Sequence, residues 1–121
     1  MSRSDELITS DNMIETVLSN DVEFKGTLKF SKSLKIKGMF DGEIQADKGH
    51  LIIGEKAQIK ATIKANNISN MGKIVGNLKA LNTIEIYDGA MILGDISTKE
   101  LVIKKGGVFD GHCSMNHSNH P

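Results

Sequence analysis

From Val22 onward the chain alternates apolar and polar positions with few exceptions. Phe24, Leu28, Phe30, Leu34 and Ile36 are separated by Lys25, Lys29, Ser31, Ser33, Lys35 and Lys37, and further on Gln58, Lys60, Thr62, Lys64 and Asn66 stand between Ile59, Ala61, Ile63 and Ala65. Alternation of period two makes a strand with one buried and one wet face. Helical spacing is absent through this region, so the expected fold is all-β.

The alternation is itself repeated. An apolar residue, a free position, a small residue, a free position and an apolar residue occur as Phe24-Lys25-Gly26-Thr27-Leu28, and again around Gly42, Ala61, Gly76, Gly94 and Gly111. The small residues are 16, 19, 15, 18 and 17 positions apart. A second fragment keeps step: Leu34-Lys35-Ile36, Leu51-Ile52-Ile53, Ile68, Ile84-Glu85-Ile86 and Leu101-Val102-Ile103. A period of this length means a coil of stacked units. Short strands separated by Gly or Asx steps do not suit hairpin sandwiches, whose turn signals fall every 8–12 residues. They suit a parallel β-solenoid, in which each turn of about 17 residues holds three short strands and three corners. Neighbouring turns lie ~4.8 Å apart, so about six turns make a rod of ~25–30 Å.

This reading stacks side chains in three inner columns. The first is Phe24, Phe40, Ile59, Ile74, Ile92 and Phe109; the second Leu28, Ile44, Ile63, Leu78, Ile96 and Cys113; the third Leu34, Leu51, Ile68, Ile84 and Leu101. Gly38, Gly54, Gly72, Gly89 and Gly106 follow the second fragment and are expected at corners with positive φ. Gly26, Gly42, Gly76, Gly94 and Gly111 are expected where stacked backbones approach closely.

Outside the repeat the signal weakens. Met1 to Ser10 is polar and aperiodic. Met13, Ile14, Val17 and Leu18 fit either one face of a helical turn or a first strand leading into Val22, and both stay open. An interfacial helix would want Lys or Arg beside its apolar face; Asp11 to Asn20 has none, so anchoring by this segment is not expected. The domain organisation read from these patterns is a disordered tail over 1–14, a single β-solenoid domain over 15–115 and a second disordered tail over 116–121.

Composition narrows the function. The 15 basic and 15 acidic side chains balance, which leaves no electrostatic case for nucleic acid. With four Phe, one Tyr and no Trp, the core must be aliphatic. The lone cysteine, Cys113, rules out an internal disulfide and suits a reducing compartment. MSRSDELITSD has acids where a signal peptide needs an apolar core, and no apolar run approaches the ~18–20 residues that span a bilayer. A cytoplasmic protein is expected.

Chemistry is sparse. His112, His117 and His120 lie near Cys113 in a polar tail without the fixed spacing of a zinc site, so no metal or other cofactor is expected. His50 stands alone at a corner and is expected in solvent. The left-handed β-helix of hexapeptide acyltransferases is the rival architecture. It needs regular six-residue steps and a catalytic base in a cleft; here the turns vary from 15 to 19 residues and His50 has no nucleophile or orienting partner in the pattern. No GxxxxGK[ST] loop is present to hold a nucleotide. The expectation is that the protein is not an enzyme.

DVEFKGTLKFSKSLKIKGMFDGEI, followed by turns such as STKELVIKKGGVFDG, resembles the bactofilin family, and the similarity runs from about Thr16 to Met115. The resemblance implies a right-handed triangular β-helix of about six turns. It also implies a bacterial cytoskeletal protein that assembles without nucleotide into non-polar filaments and sheets. Such polymers often lie on the inner face of the cytoplasmic membrane, where they organise cell shape and wall synthesis. Cell-wall enzymes and membrane proteins are the further partners it suggests. Many members carry an apolar membrane-targeting motif at the extreme N-terminus; MSRSDELITSD departs from it, so direct membrane binding is not expected here.

Physical reasoning reaches the same role. A stack of strands exposes unpaired N–H and C=O groups and an apolar cross-section at each end, and solenoids that stay monomeric cover those ends with caps. The last turn carries Ile103, Val108 and Phe109 and the first Phe24, Leu28 and Phe30. These two sets are the candidate polymer interfaces, with Phe109 central to the C-terminal one and like ends meeting. The alternatives are a monomeric or dimeric adaptor whose Lys-rich and acidic outer strips (Lys25, Lys29, Lys35, Lys37; Asp41, Glu43, Asp47) recruit wall enzymes, and, less favoured, the acyltransferase.

Overall fold

A computed structural model describes residues 6–8, 16–18, 23–46 and 48–115. The strands are β1 (Glu6–Ile8), β2 (Thr16–Leu18), β3 (Glu23–Lys29), β4 (Ser33–Ile36), β5 (Met39–Gln45), β6 (His50–Ile53), β7 (Gln58–Asn70), β8 (Lys73–Ile86), β9 (Met91–Thr98), β10 (Glu100–Ile103) and β11 (Val108–Met115). No helix occurs among the described residues.

Every pairing is parallel. β1, β3, β5, β7, β8, β9 and β11 form one stack, and β2, β4, β6, β7, β8 and β10 the other. The chain is thus the β-solenoid that the repeat implies. It winds about five turns, where about six were expected.

All three expected columns are in register, rung on rung: Phe24 to Phe109, Leu28 to Cys113 and Leu34 to Leu101. Phe24 and Phe40 stack with ring centroids 5.1 Å apart. The second fragment adds a fourth column, Ile36, Ile53, Asn70, Ile86 and Ile103. Asn70 is fully buried in it. Its Oδ1 accepts the Gly72 N–H at 2.9 Å and its Nδ2 donates to the Met91 carbonyl at 3.1 Å. A buried amide is tolerable when its polar atoms find partners, and here they tie two rungs to the corner.

Two features depart from the simple repeat. Short strands were expected, yet β7 has 13 residues and β8 has 14, because the ladder runs on through one corner. Within that run Ala65 faces Ala80 and Asn67 faces Thr83, so Leu81 and Asn82 together stand opposite Asn66. The extra residue is a bulge. It leaves Leu81 on the surface and lets the Asn82 amide donate to Asn67 Oδ1 at 3.0 Å.

The glycines divide differently from expectation. Positive φ was assigned to the corners at Gly38, Gly54, Gly72, Gly89 and Gly106, but only Gly89 and Gly106 have it. At Gly72 the requirement is space, since a Cβ there would press on the Gly54 and Ala57 carbonyl oxygens. The repeat glycines have both needs. Gly42 has φ +147°, and a Cβ on it would land on the carbonyl oxygen of Gly26 one rung away. The same relation recurs up the rod at Gly76, Gly94 and Gly111. These residues bend the strand while keeping its ladder intact.

Candidate assembly interface

The two ends of the rod carry the same columns and are finished differently. At the N-terminal end Phe24, Leu28 and Phe30 are 5%, 0% and 7% exposed. A further partial rung lies on them: β1 pairs with β3, placing Leu7 opposite Leu28, and β2 pairs with β4, placing Thr16 opposite Leu34 and Leu18 opposite Ile36. The residues expected to form the N-terminal contact are therefore core residues here, not surface ones. Part of the tail expected to be disordered over 1–14, Glu6–Ile8, forms one of the covering strands. Of the two options for residues 11–20, the strand is the one seen at Thr16–Leu18.

At the C-terminal end nothing among the described residues lies on the last rung. β11 pairs only with β9 and β10 only with β8, so each has a free edge. Ile103 shows what that does: its column mates Ile36, Ile53 and Ile86 are each 0% exposed, whereas Ile103 is 46% exposed. Val108 and Met115 are exposed, and Leu101, Phe109 and Cys113 are only partly covered by the core. The structure brings Ile103, Val108 and Phe109 together on this end. Met115, whose sulfur lies 3.6 Å from the Cys113 thiol, joins them and was not foreseen.

His50 differs from its expected place in solvent. It is half-buried, with Nε2 2.9 Å from the Ser69 hydroxyl. Ser69 Oγ lies 3.5 Å from Glu85 Oε1, to which the Tyr87 hydroxyl also donates at 2.8 Å. That hydrogen bond to a carboxylate, with some burial and the charge itself, raises the Tyr87 pKa above 10.0. The cluster is not built as a nucleophile relay, because its carboxylate sits on the serine rather than on the far side of the imidazole. It ties successive rungs together along an outer face. Among the described residues no group of three or more His, Cys, Asp or Glu could hold a metal; His117 and His120 lie outside the described residues. Among the described residues no helix is long and apolar enough to cross a membrane.

The described residues define a class: a rod of stacked parallel rungs whose C-terminal end is apolar and, among those residues, unpaired. Comparison with known proteins gives the family. A family model of bactofilins, described as polymer-forming cytoskeletal, matches residues 16–114, and the chain belongs to that family. Bactofilin BacP of Myxococcus xanthus (strain DK1622) is 28% identical over 115 residues, which are 95% of this chain and 48% of BacP. Bactofilin BacO of the same organism is 26% identical over 104 residues, 86% of this chain and 82% of BacO. The chain thus spans about half the length of one relative and most of the other. No solved structure gives a significant match.

Proposed function

We propose that this chain is a non-enzymatic cytoplasmic scaffold whose rods join end to end, without nucleotide, into filaments that organise cell shape or wall synthesis, in some settings at the inner face of the membrane. The observation that supports it is the half-exposed Ile103 at the end of a column otherwise sealed from water. Stacking a second rod on that end covers Ile103, Val108, Phe109 and Met115 and satisfies the free edges of β10 and β11. Phe109 is the centre of the contact. No step of this assembly calls on a phosphate site.

The covered end limits the process. Two rods joined through C-terminal ends form a closed two-fold pair, and growth beyond it through Phe24, Leu28 and Phe30 requires β1 and β2 to leave first. The covering rung therefore favours a second reading, a tail-to-tail dimer acting as an adaptor for wall enzymes. Negative-stain images at near-physiological salt without nucleotide separate the two: filaments support the scaffold, and uniform short pairs support the adaptor. Phe109→Arg should keep the β signal in circular dichroism and abolish sedimentable polymer. Unchanged filaments in that variant would remove the C-terminal contact from the account.

A further inference from the structure

One outer face of the rod carries an ordered pattern that neither the core nor the end contact uses. The residue before each small residue of the repeat points outward, and from rung to rung these residues are Lys25, Asp41, Lys60, Val75, Leu93 and Asp110 in unbroken register. A parallel outward column reads Glu23, Met39, Gln58, Lys73, Met91 and Val108. In the lower half the first column alternates charge at Lys25, Asp41 and Lys60, while the second carries Glu23, the exposed Met39 and Gln58. The upper half gathers Val75, Met91, Leu93 and Val108, of which Val108 is 45% exposed and the others half-buried. Alternating polar positions would have served a face meant only for water.

The order of the upper half is informative. Lys60, Val75, Leu93 and Asp110 run basic, apolar, apolar, acidic. Turned end over end about an axis between Val75 and Leu93, the series becomes its own complement. Asp110 of a second copy then lies over Lys60, its Leu93 over Val75, and the reverse holds at the other end. We propose that this face docks on the same face of a second copy running antiparallel, a two-fold lateral contact distinct from the end contact. Sheets packed face to face lie about 10 Å apart, a gap that Val, Leu and Met side chains fill.

The competing orientation is worse. With the rods parallel, Val75 would face the second copy's Lys73 and Asp110 its Val108, leaving both charges against apolar groups. In the antiparallel pair Lys73 meets Met91, along which its methylene stem can lie while the ammonium reaches water. The contact is small beside the ~1,200–2,000 Å² of a stable complex. A single pair is therefore weak, and rods already joined at their ends pair more firmly through repetition.

The lateral contact is independent of the end contact, and the two can be separated by experiment. Full-length chain carrying Phe109→Arg, with its end contact blocked, is followed by sedimentation equilibrium across concentration, with and without vesicles of phosphatidylglycerol and phosphatidylethanolamine. The expected result is a monomer–dimer equilibrium unaffected by vesicles and lost in Leu93→Lys. Lys60→Asp and Asp110→Lys should each weaken the dimer by about tenfold, and the double reversal should restore it. In the otherwise native chain, Leu93→Lys should leave filaments that are uniformly single in width. Singles as tight as the parent, a double reversal no tighter than the singles, a strictly monomeric parent, or patch-dependent capture by the vesicles would each overturn the lateral contact. Should Phe109→Arg still polymerise, the end contact is wrong, and the width of the Leu93→Lys filaments still decides the lateral one.

Discussion

The first and last rungs of this rod are built from the same repeat, and among the described residues only the first is covered. Phe24 and Phe109 occupy the two ends of one column; Phe24 is sealed by what precedes it in the chain, and Phe109 is left against solvent on one side. Sequence type does not distinguish them. What differs is whether another strand lies on top, so at the end of a solenoid a core residue and an interface residue are the same residue in two states of cover.

The largest expected effect separates the two ends by the same substitution. Phe24→Arg places a charge in a sealed site and should cost at least ~3–5 kcal/mol of stability, the range for emptying a buried aromatic position, read as a lowered urea midpoint. Phe109→Arg, at a site only partly covered, should lower that midpoint much less and act chiefly on assembly. Equal losses of stability would mean that the C-terminal end is as closed as the other.

Removal of the buried amide comes next. Asn70→Ala leaves the Gly72 N–H and the Met91 carbonyl without their side-chain partners, at about 1–3 kcal/mol, again by denaturant titration. A similar change at Thr98, whose hydroxyl has one proton to share between the Glu100 carbonyl at 3.1 Å and that of Asn82 at 3.3 Å, should cost less.

The glycines sharpen the comparison further. Gly42→Ala forces a Cβ between two inner rungs at positive φ and should destabilise by ~1–3 kcal/mol. Gly111→Ala meets the same carbonyl geometry, but its rung has a free side toward which β11 can shift, so its thermal midpoint should fall less. The smallest effect is at Tyr87, the chain's only tyrosine. Its phenolate absorbance should appear above pH 10.0, and Glu85→Gln should bring it down toward that value. Because folding raises this pKa, the stability tied to the contact is complete below the unfolded value and is lost as pH climbs through the raised one.

Much of this was legible in the sequence, for a physical reason. A solenoid's register follows from its period, so fixing the period aligned Phe40 with Ile59 and Ile44 with Ile63 across turns of unequal length. The covering rung was not legible: Leu7 lies 21 residues before Leu28, outside the 15–19 of the repeat, and Thr16–Leu18 is too short to show alternation. Asn70 was missed because its partners are backbone groups, which leave no mark on composition. The bulge at Leu81 and Asn82 adds one residue to a corner, which the variable spacing concealed. The His50, Ser69 and Glu85 ladder lies on an outer face, where polar residues are ordinary.

The central claim is that the open C-terminal end meets another like itself. The chain has one thiol, Cys113, on that end, so only a like-end junction brings two thiols together. A bismaleimide with a reach of about two rungs, ~10 Å, applied to assembled protein should yield covalent dimers, and Phe109→Arg should yield none. Polymers that form normally and give no thiol-linked dimer would contradict the claim, because rods stacked with unlike ends hold each Cys113 a full rod length from the next.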